Sequence, residues 1–121
     1  MQDQSCSIDS DVIIRFRQLT TPRDPHFFED MVNLFISDTE KRLSSILEAL
    51  EHNQFDQLAK AAHALSGGAV IIGAYRLAQL CSPLQQTSPM IESEIRKLVD
   101  SIRVEYAEVC RQLAIALNSS N

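Results

Sequence analysis

Glycine, proline and aromatic residues are scarce in this chain, and tryptophan is absent. No apolar run approaches the ~20 residues that a membrane-spanning helix needs, and no signal-peptide pattern opens the sequence. The alternation of apolar and polar residues that marks a half-buried strand does not extend over any useful length. The 121 residues are enough for one domain with a sizeable core. Together these features predict a cytoplasmic, all-α domain without membrane contact.

Basic residues are also few and scattered. Lys and Arg number 11 against 16 acidic residues, which gives a net charge of -5, so nucleic acid is not an expected partner. The three cysteines lack metal-type spacing and the three histidines lack an i, i+4 pair, so we expect no metal site. The cysteines are predicted to be reduced, with Cys81 and Cys110 packed as small apolar residues in helices.

Apolar residues at helical spacing predict five helices joined by short breaks. Asp24 precedes Pro25 as a capping side chain before a first-turn proline, and Ser88 with Pro89 repeats this pattern. Asn53 is a candidate cap for the third helix. The predicted segments are about 8–19, 25–50, 54–72, 74–84 and 90–118.

Long helices joined by short connections pack antiparallel. We therefore predict an antiparallel up-and-down four-helix bundle with an extra short N-terminal helix. Residues 1–7 are polar and are expected to be flexible, which leaves residues 8–118 as one bundle domain.

All three glycines lie in one seven-residue window shortly after His63, at Gly67, Gly68 and Gly73. Glycine inside a helix is unfavourable by about 1 kcal/mol relative to alanine, so the cluster needs a reason. With about 100° per residue, His63 lies roughly 120° from the centre of the apolar stripe, at the exposed edge of the third helix. Gly67, one turn on, leaves the imidazole uncovered, and Lys60, three residues earlier, offers a positive charge. This arrangement is suited to attaching phosphate to a ring nitrogen.

At these residues the chain resembles the histidine-containing phosphotransfer (HPt) family. The family pattern is His-x-Leu-Lys-Gly, followed after five residues by a second Gly and a helix. Here it reads His63-Ala-Leu65-Ser66-Gly67, and then Gly73 before the next helix. The predicted helices agree with the family's four-helix bundle. Ser66 departs from the pattern, because the family usually has a lysine there that helps to hold the phosphoryl group.

The resemblance implies a phosphoryl carrier in a two-component phosphorelay rather than an autonomous enzyme. His63 would accept phosphoryl from a receiver-domain aspartate and pass it to another receiver. The catalytic Mg²⁺ would belong to the receiver, so this chain needs no cofactor of its own. Gly67 and Gly68 would give the phosphoryl group room, Lys60 or the more distant Arg76 would replace the missing lysine charge, and Asp38 would orient the imidazole.

The expected partners are response-regulator receiver domains and a hybrid histidine kinase, and the protein is expected to be a monomer. Docking is predicted around His63, through the small apolar residues Ala59, Ala64 and Val70, with Phe28 or Met31 joining if they face outward. Ser66 also leaves an alternative open, in which the chain is a receiver-binding adaptor that is not phosphorylated.

Overall fold

Five α-helices make up almost all of the computed structural model, which describes residues 7–86 and 91–118. Their bounds are α1 (Ser10–Leu19), α2 (Phe27–Glu51), α3 (Phe55–Ile72), α4 (Tyr75–Cys81) and α5 (Glu92–Asn118), with a 3₁₀ turn (Ser82–Gln85) directly after α4. No β-strand occurs within those described ranges. The β-branched segment 69–72 is helical, because α3 continues to Ile72. The predicted all-α bundle with a short N-terminal helix is confirmed.

The connection between α2 and α3 forms a tight helical hairpin. Asn53 adopts a left-handed conformation with φ of 55°, its N–H donates to Leu50 O (3.3 Å), and the Gln54 N–H donates to Ala49 O (2.8 Å). This pair of bonds is a Schellman ending, in which a residue with positive φ closes the last turn. Asn53 therefore terminates α2. The prediction that Asn53 caps α3 is wrong, because the residue before α3 is Gln54.

The start of α2 also differs from its predicted position. Asp24 does not cap the helix: its N–H donates to Thr21 O at 2.9 Å in a turn, and α2 begins only at Phe27. One N–H of the first turn is satisfied by the residue that follows α1, since the Phe28 N–H donates to the hydroxyl of Thr20 at 3.1 Å. The same hydroxyl donates to the carbonyl of Phe16 at 2.9 Å, so one side chain joins the end of α1 to the start of α2.

The core of the bundle lies between α2, α3, α4 and α5, and most predicted apolar positions are buried in it. The largest fully buried side chains are Ile46, Leu58, Leu65, Ile72, Leu77, Leu84, Ile95, Ile102 and Leu113. Leu34 and Leu47 share the helical spacing of the α2 core residues but are 64% and 38% exposed. Phe28 is only 3% exposed, so it cannot face a docking partner, and Met31 is half-buried.

The turn at Gly73 brings α1 against the end of α3. Gly73 has φ of 84°, and its carbonyl accepts the N–H of Asp9 at 2.9 Å. A Cβ on Gly73 would lie 2.9 Å from the Cβ of Val12, closer than side chains approach. The glycine is thus required by the turn and by the packing of α1. Gly73 is therefore present for a reason unrelated to His63. The expectation that a single reason accounts for the whole glycine cluster is wrong for this residue.

The fourth helix is interrupted by Pro83. The predicted single helix over 74–84 is instead α4 followed by the 3₁₀ turn, because proline has no N–H and its ring clashes with the preceding helical turn. Leu84 in this turn is fully buried, which fixes the turn against the core. Its neighbour Gln85 is thereby directed toward α3, where it contacts His63.

The remaining predictions concern the ends of the chain, the cysteines and membrane contact. The expected flexible segment lies outside the described residues except for Ser7, whose N–H donates to Gln112 Oε1 at 3.0 Å. The predicted start of α5 at Ser88 and Pro89 also lies outside them. Cys81 is buried and Cys110 half-buried, both as free thiols, and burial raises the pKa of Cys81 to about 12. None of the described helices is both long and apolar enough to cross a membrane.

Candidate functional site

His63 lies at the middle of α3 with its side chain exposed. Gly67, the residue one turn further on, is also exposed, and a Cβ there would meet no atom within 4 Å. Space beside the imidazole is therefore open on the side of the helix where Gly67 lies. The position on the rim of α3 and the cleared turn are both as predicted from the helical wheel.

The imidazole is oriented by Gln85. Its Oε1 lies 2.9 Å from His63 Nδ1, in a contact between side chains 22 positions apart in the sequence. An amide oxygen can only accept, so with the amide in this orientation the hydrogen of a neutral ring lies on Nδ1. In the neutral ring Nε2 is then left with a lone pair, which points away from the hydrogen-bonded edge. In this arrangement Nε2 is the ring nitrogen with chemistry suited to a nucleophile.

Sequence reasoning did not identify Gln85 as a site residue. The residue was placed beyond the end of a predicted helix, and no periodicity connects it to His63. The only available signal was Pro83, because a proline there forces the helix to change its path two residues before the glutamine.

Asp38, the predicted orienter of the imidazole, lies on the other flank of α3. Its Oδ2 is 3.9 Å from the position that a Cβ on Gly68 would occupy, and its Oδ1 pairs with Arg42 at 3.4 Å. Gly68 is five residues after His63, which is about 140° further around the helix. Asp38 and His63 therefore face different sides of α3, and the hydrogen bond to Nδ1 comes from Gln85 instead.

The cations proposed for the site are not equally placed. Lys60 is exposed on α3, one turn before His63, so its flexible side chain can reach the space above the ring. Arg76, by contrast, is on α4 and its Nη1 lies 3.8 Å from Oε1 of the buried Glu105 on α5. Ser66, half-buried on α3, brings a hydroxyl but no charge. Of the two proposed cations, Lys60 is thus the one that lies on α3 close to His63.

The surface around His63 contains more apolar area than predicted. Val70 is 49% exposed, while Ala59 and Ala64 are half-buried. Ile71, the next residue on α3, is 62% exposed. Leu34 of α2 lies near this exposed apolar area. The helices α2 and α3 are antiparallel and Asp38 is opposite Gly68, so Leu34, one turn before Asp38, is beside the C-terminal end of α3.

We define the Leu34 surface as Leu34, Val70 and Ile71. It begins about two turns from His63, or roughly 10 to 12 Å along α3. Leu34 and Ile71 were not predicted as surface residues because apolar side chains at helical spacing are more often core. Only the positions of the neighbouring helices reveal that they are exposed.

The side chain of His63 is exposed on the surface of α3. A cavity of about 490 Å³ lies elsewhere, between the α1–α2 connection and the end of α5, lined by Arg17, Thr20, Pro25, His26, Phe28, Glu29, Leu117 and Asn118. Within residues 7–86 and 91–118, no three His, Cys, Asp or Glu side chains come together to hold a metal ion. The His63 site is an open surface, the form suited to a reaction with a group presented by another macromolecule.

Comparisons with known proteins agree on one family. The Hpt domain family model matches residues 30–114. A solved structure of histidine-containing phosphotransfer protein B (HptB) from Pseudomonas aeruginosa PAO1 superposes with a TM-score of 0.76 at 22% identity, covering 92% of this chain and 94% of that one. A putative histidine-containing phosphotransfer protein from rice gives a TM-score of 0.78 at 20% identity, covering 96% and 85%. No curated protein matches the chain.

Proposed function

The chain belongs to the Hpt domain family, and from this premise we propose that it carries a phosphoryl group on His63 between the aspartates of receiver domains. The observation that carries the proposal is the contact between Gln85 Oε1 and His63 Nδ1 on an exposed surface. With the amide oxygen toward the ring, Nδ1 holds the hydrogen of a neutral imidazole and Nε2 keeps its lone pair. A histidine in the core, or one with Nε2 blocked, could not perform this reaction.

The transfer is an in-line exchange at phosphorus. The Nε2 lone pair forms the P–N bond while the bond from phosphorus to the aspartate oxygen breaks, and its electron pair returns to the carboxylate. The ring keeps the Nδ1 hydrogen, so positive charge develops on the imidazole and the Gln85 oxygen is placed to stabilise it. Gly67 leaves room for the phosphoryl oxygens, and Lys60 supplies a cation for their charge.

The protein acts as a carrier and depends on its partner for catalysis. Phosphoryl transfer relies on positioning and on cations that neutralise the transferring oxygens. In our proposal Mg²⁺ in the receiver domain supplies most of that charge, and this chain contributes the nucleophile with its orienting amide. A hybrid histidine kinase is the expected source of the phosphoryl group that the receivers exchange.

Receivers are proposed to dock over His63 and the Leu34 surface. Val70 and Ile71 provide exposed apolar area on α3, and Leu34 extends it onto α2. Ala59 and Ala64 are half-buried and their side chains are small, so they do not prevent a partner from approaching Nε2. A protein in a relay has to release each partner. The interface is therefore expected to be transient and small, with less than about 1,200 Å² of surface buried in total.

The test is phosphoryl transfer from a phosphorylated receiver domain, read by intact mass. Wild type is expected to gain one acid-labile phosphoryl group, and His63→Gln none. His52→Gln is the matched control, because His52 is also exposed, at the end of α2, and this variant should be phosphorylated like wild type.

The adaptor alternative predicts a different result from the same experiment. A panel of receivers that bind the chain without transferring phosphoryl would favour an adaptor, with Ser66 in place of lysine as the reason. If His63→Gln were phosphorylated as well as wild type, the assignment of His63 would be wrong.

A further inference from the structure

The backbone of Gln85 is fixed by its neighbour, and its side-chain amide contacts the imidazole of His63. Leu84, its neighbour in the 3₁₀ turn, is fully buried and fixes the turn. The Gln85 side chain is half-buried, and its contact with His63 is the one hydrogen bond that the structure shows for this amide among residues 7–86 and 91–118. Apart from the imidazole itself, nothing in the described part of the chain holds the amide in one orientation. A half-turn about its last torsion replaces the oxygen by the NH₂ group at the same position.

The two amide orientations favour two different protonation states of a phosphorylated ring. When water or a receiver aspartate attacks phosphorus, a P–O bond forms as the P–Nε2 bond breaks, and the electron pair of the broken bond goes to Nε2. If Nδ1 carries a hydrogen, the departing group is a neutral imidazole; if it does not, the departing group is an imidazolate anion, which is a much poorer leaving group. The amide oxygen stabilises the protonated ring, and the amide NH₂ stabilises the ring whose Nδ1 is bare.

We propose that Gln85 sets how long phosphoryl stays on His63, by turning its amide oxygen or its amide NH₂ toward Nδ1. With the oxygen inward the ring keeps its hydrogen and releases phosphoryl readily; with the NH₂ inward the bare Nδ1 is stabilised and the phosphoryl group is retained. This positioning role rests on the proposed function, because it concerns phosphoryl carried on His63. Gln85 acts through the imidazole and does not touch the phosphoryl group.

Besides the Gln85 amide, few charged side chains lie where they could influence the protonation of His63 Nδ1. On α3, Lys60 and Asp56 lie on the same side of the helix as His63, one and two turns before it. The 3₁₀ turn, Ser82–Gln85, contains no titratable side chain. Asp38 and Arg42 on α2 are paired with each other on the opposite flank of α3. A charge introduced at residue 85 should therefore dominate the protonation of Nδ1.

The test compares Gln85→Glu with Gln85→Lys in the full chain. Glutamate can only accept and keeps the hydrogen on Nδ1, whereas lysine can only donate and favours a bare Nδ1. Gln86→Glu and Gln86→Lys are the matched controls, since Gln86 is the next residue and is exposed. Each protein is phosphorylated chemically with phosphoramidate, so that no receiver is needed, and adduct loss at His63 is followed by mass from pH 5 to 9.

Loss is expected to slow as pH rises, because Nδ1 loses its hydrogen. That transition should move up by about one pH unit in Gln85→Glu and down by about one in Gln85→Lys. The Gln86 variants should remain within about 0.3 unit of wild type, since an exposed charge farther away is screened by solvent. Shifts in the same direction for both Gln85 variants, or equal shifts at residues 85 and 86, would overturn the proposal.

Nitrogen-15 NMR of the unmodified proteins gives an independent readout. Gln85→Glu should retain the hydrogen on Nδ1, and Gln85→Lys should move it to Nε2 in the neutral ring. Identical tautomers in both would contradict the inference even if no adduct formed. Opposite shifts with phosphoramidate in a protein that accepts nothing from receivers would instead support the role of Gln85 and refute the proposed function.

Discussion

A Cβ built on Gly73 would lie 2.9 Å from the Cβ of Val12. This close approach, possible because glycine has no Cβ, brings the residue after α3 against α1, a helix outside the matched family region of residues 30–114. The backbone of Gly73 has φ of 84° and accepts a hydrogen bond from Asp9, so the same residue ends one helix and docks another.

Gly73→Ala is expected to lower the free energy of unfolding by roughly 2 to 4 kcal/mol, because an alanine must adopt a left-handed conformation and its Cβ displaces Val12. Gly67→Ala is the matched control: it is helical, has open space for a Cβ, and should be neutral or stabilising by up to about 1 kcal/mol. Urea unfolding measures both. Equal stabilities for the two variants would show that α1 does not pack as described.

Charge beside His63 should control the rate at which it accepts phosphoryl. Lys60→Met removes the cation one turn before His63 and is expected to slow transfer from a phosphorylated receiver about 10-fold, since cations stabilise the transferring oxygens. Ser66→Lys restores the family's lysine and should accelerate transfer in wild type and in Lys60→Met. Lys97→Met, an exposed lysine on α5, is the control and should transfer at the wild-type rate. A Lys60→Met rate equal to that of Lys97→Met would assign the cation entirely to the receiver.

Apolar contact through the Leu34 surface should determine receiver affinity. Val70→Asp is expected to weaken binding at least 10-fold, because it places an unpaired carboxylate in the proposed interface. Val104→Asp is the matched control on α5, where Val104 is 73% exposed. Titration calorimetry with a receiver compares the two, and circular dichroism checks that both remain folded. Comparable losses at both positions would indicate a general charge effect rather than docking on α3.

The ion pair of Arg76 with Glu105 should stabilise the bundle rather than the reaction. Glu105 is 7% exposed, and its Oε2 has no hydrogen-bond partner among the described residues. Arg76→Gln is expected to cost about 1 to 3 kcal/mol, because it leaves a buried carboxylate unpaired. The coupling energy of the pair should be nearer 1 kcal/mol, since the Arg76 side chain is 42% exposed to solvent.

A double-mutant cycle measures this coupling. Glu105→Gln should cost less than Arg76→Gln, and the double variant should recover part of the loss. Phosphoryl transfer by Arg76→Gln is expected to remain within about twofold of wild type once the protein is folded. A large loss of transfer with unchanged stability would return Arg76 to the list of phosphoryl-site residues.

Local sequence patterns are sufficient to predict the helical fold and the exposed position of His63. Both follow from local periodicity: apolar residues spaced at 3.6 positions define which side of a helix is buried, and His63 falls outside that stripe whatever the helix packs against. Gly67 at the next turn is likewise a local relationship within one helix. These features needed no knowledge of the other helices.

Packing between the helices determines which side chains lie next to each helix surface. Gln85 reaches His63 only because Pro83 converts the end of the fourth helix into a 3₁₀ turn that packs on α3. Asp38 and His63 lie on opposite flanks, which follows from the side of α3 that α2 covers. A helical period gives the direction of a side chain from its own axis, but contacts between helices depend on packing among residues distant in sequence. The proposed nucleophile was therefore evident in the sequence, and the side chain that contacts its ring was not.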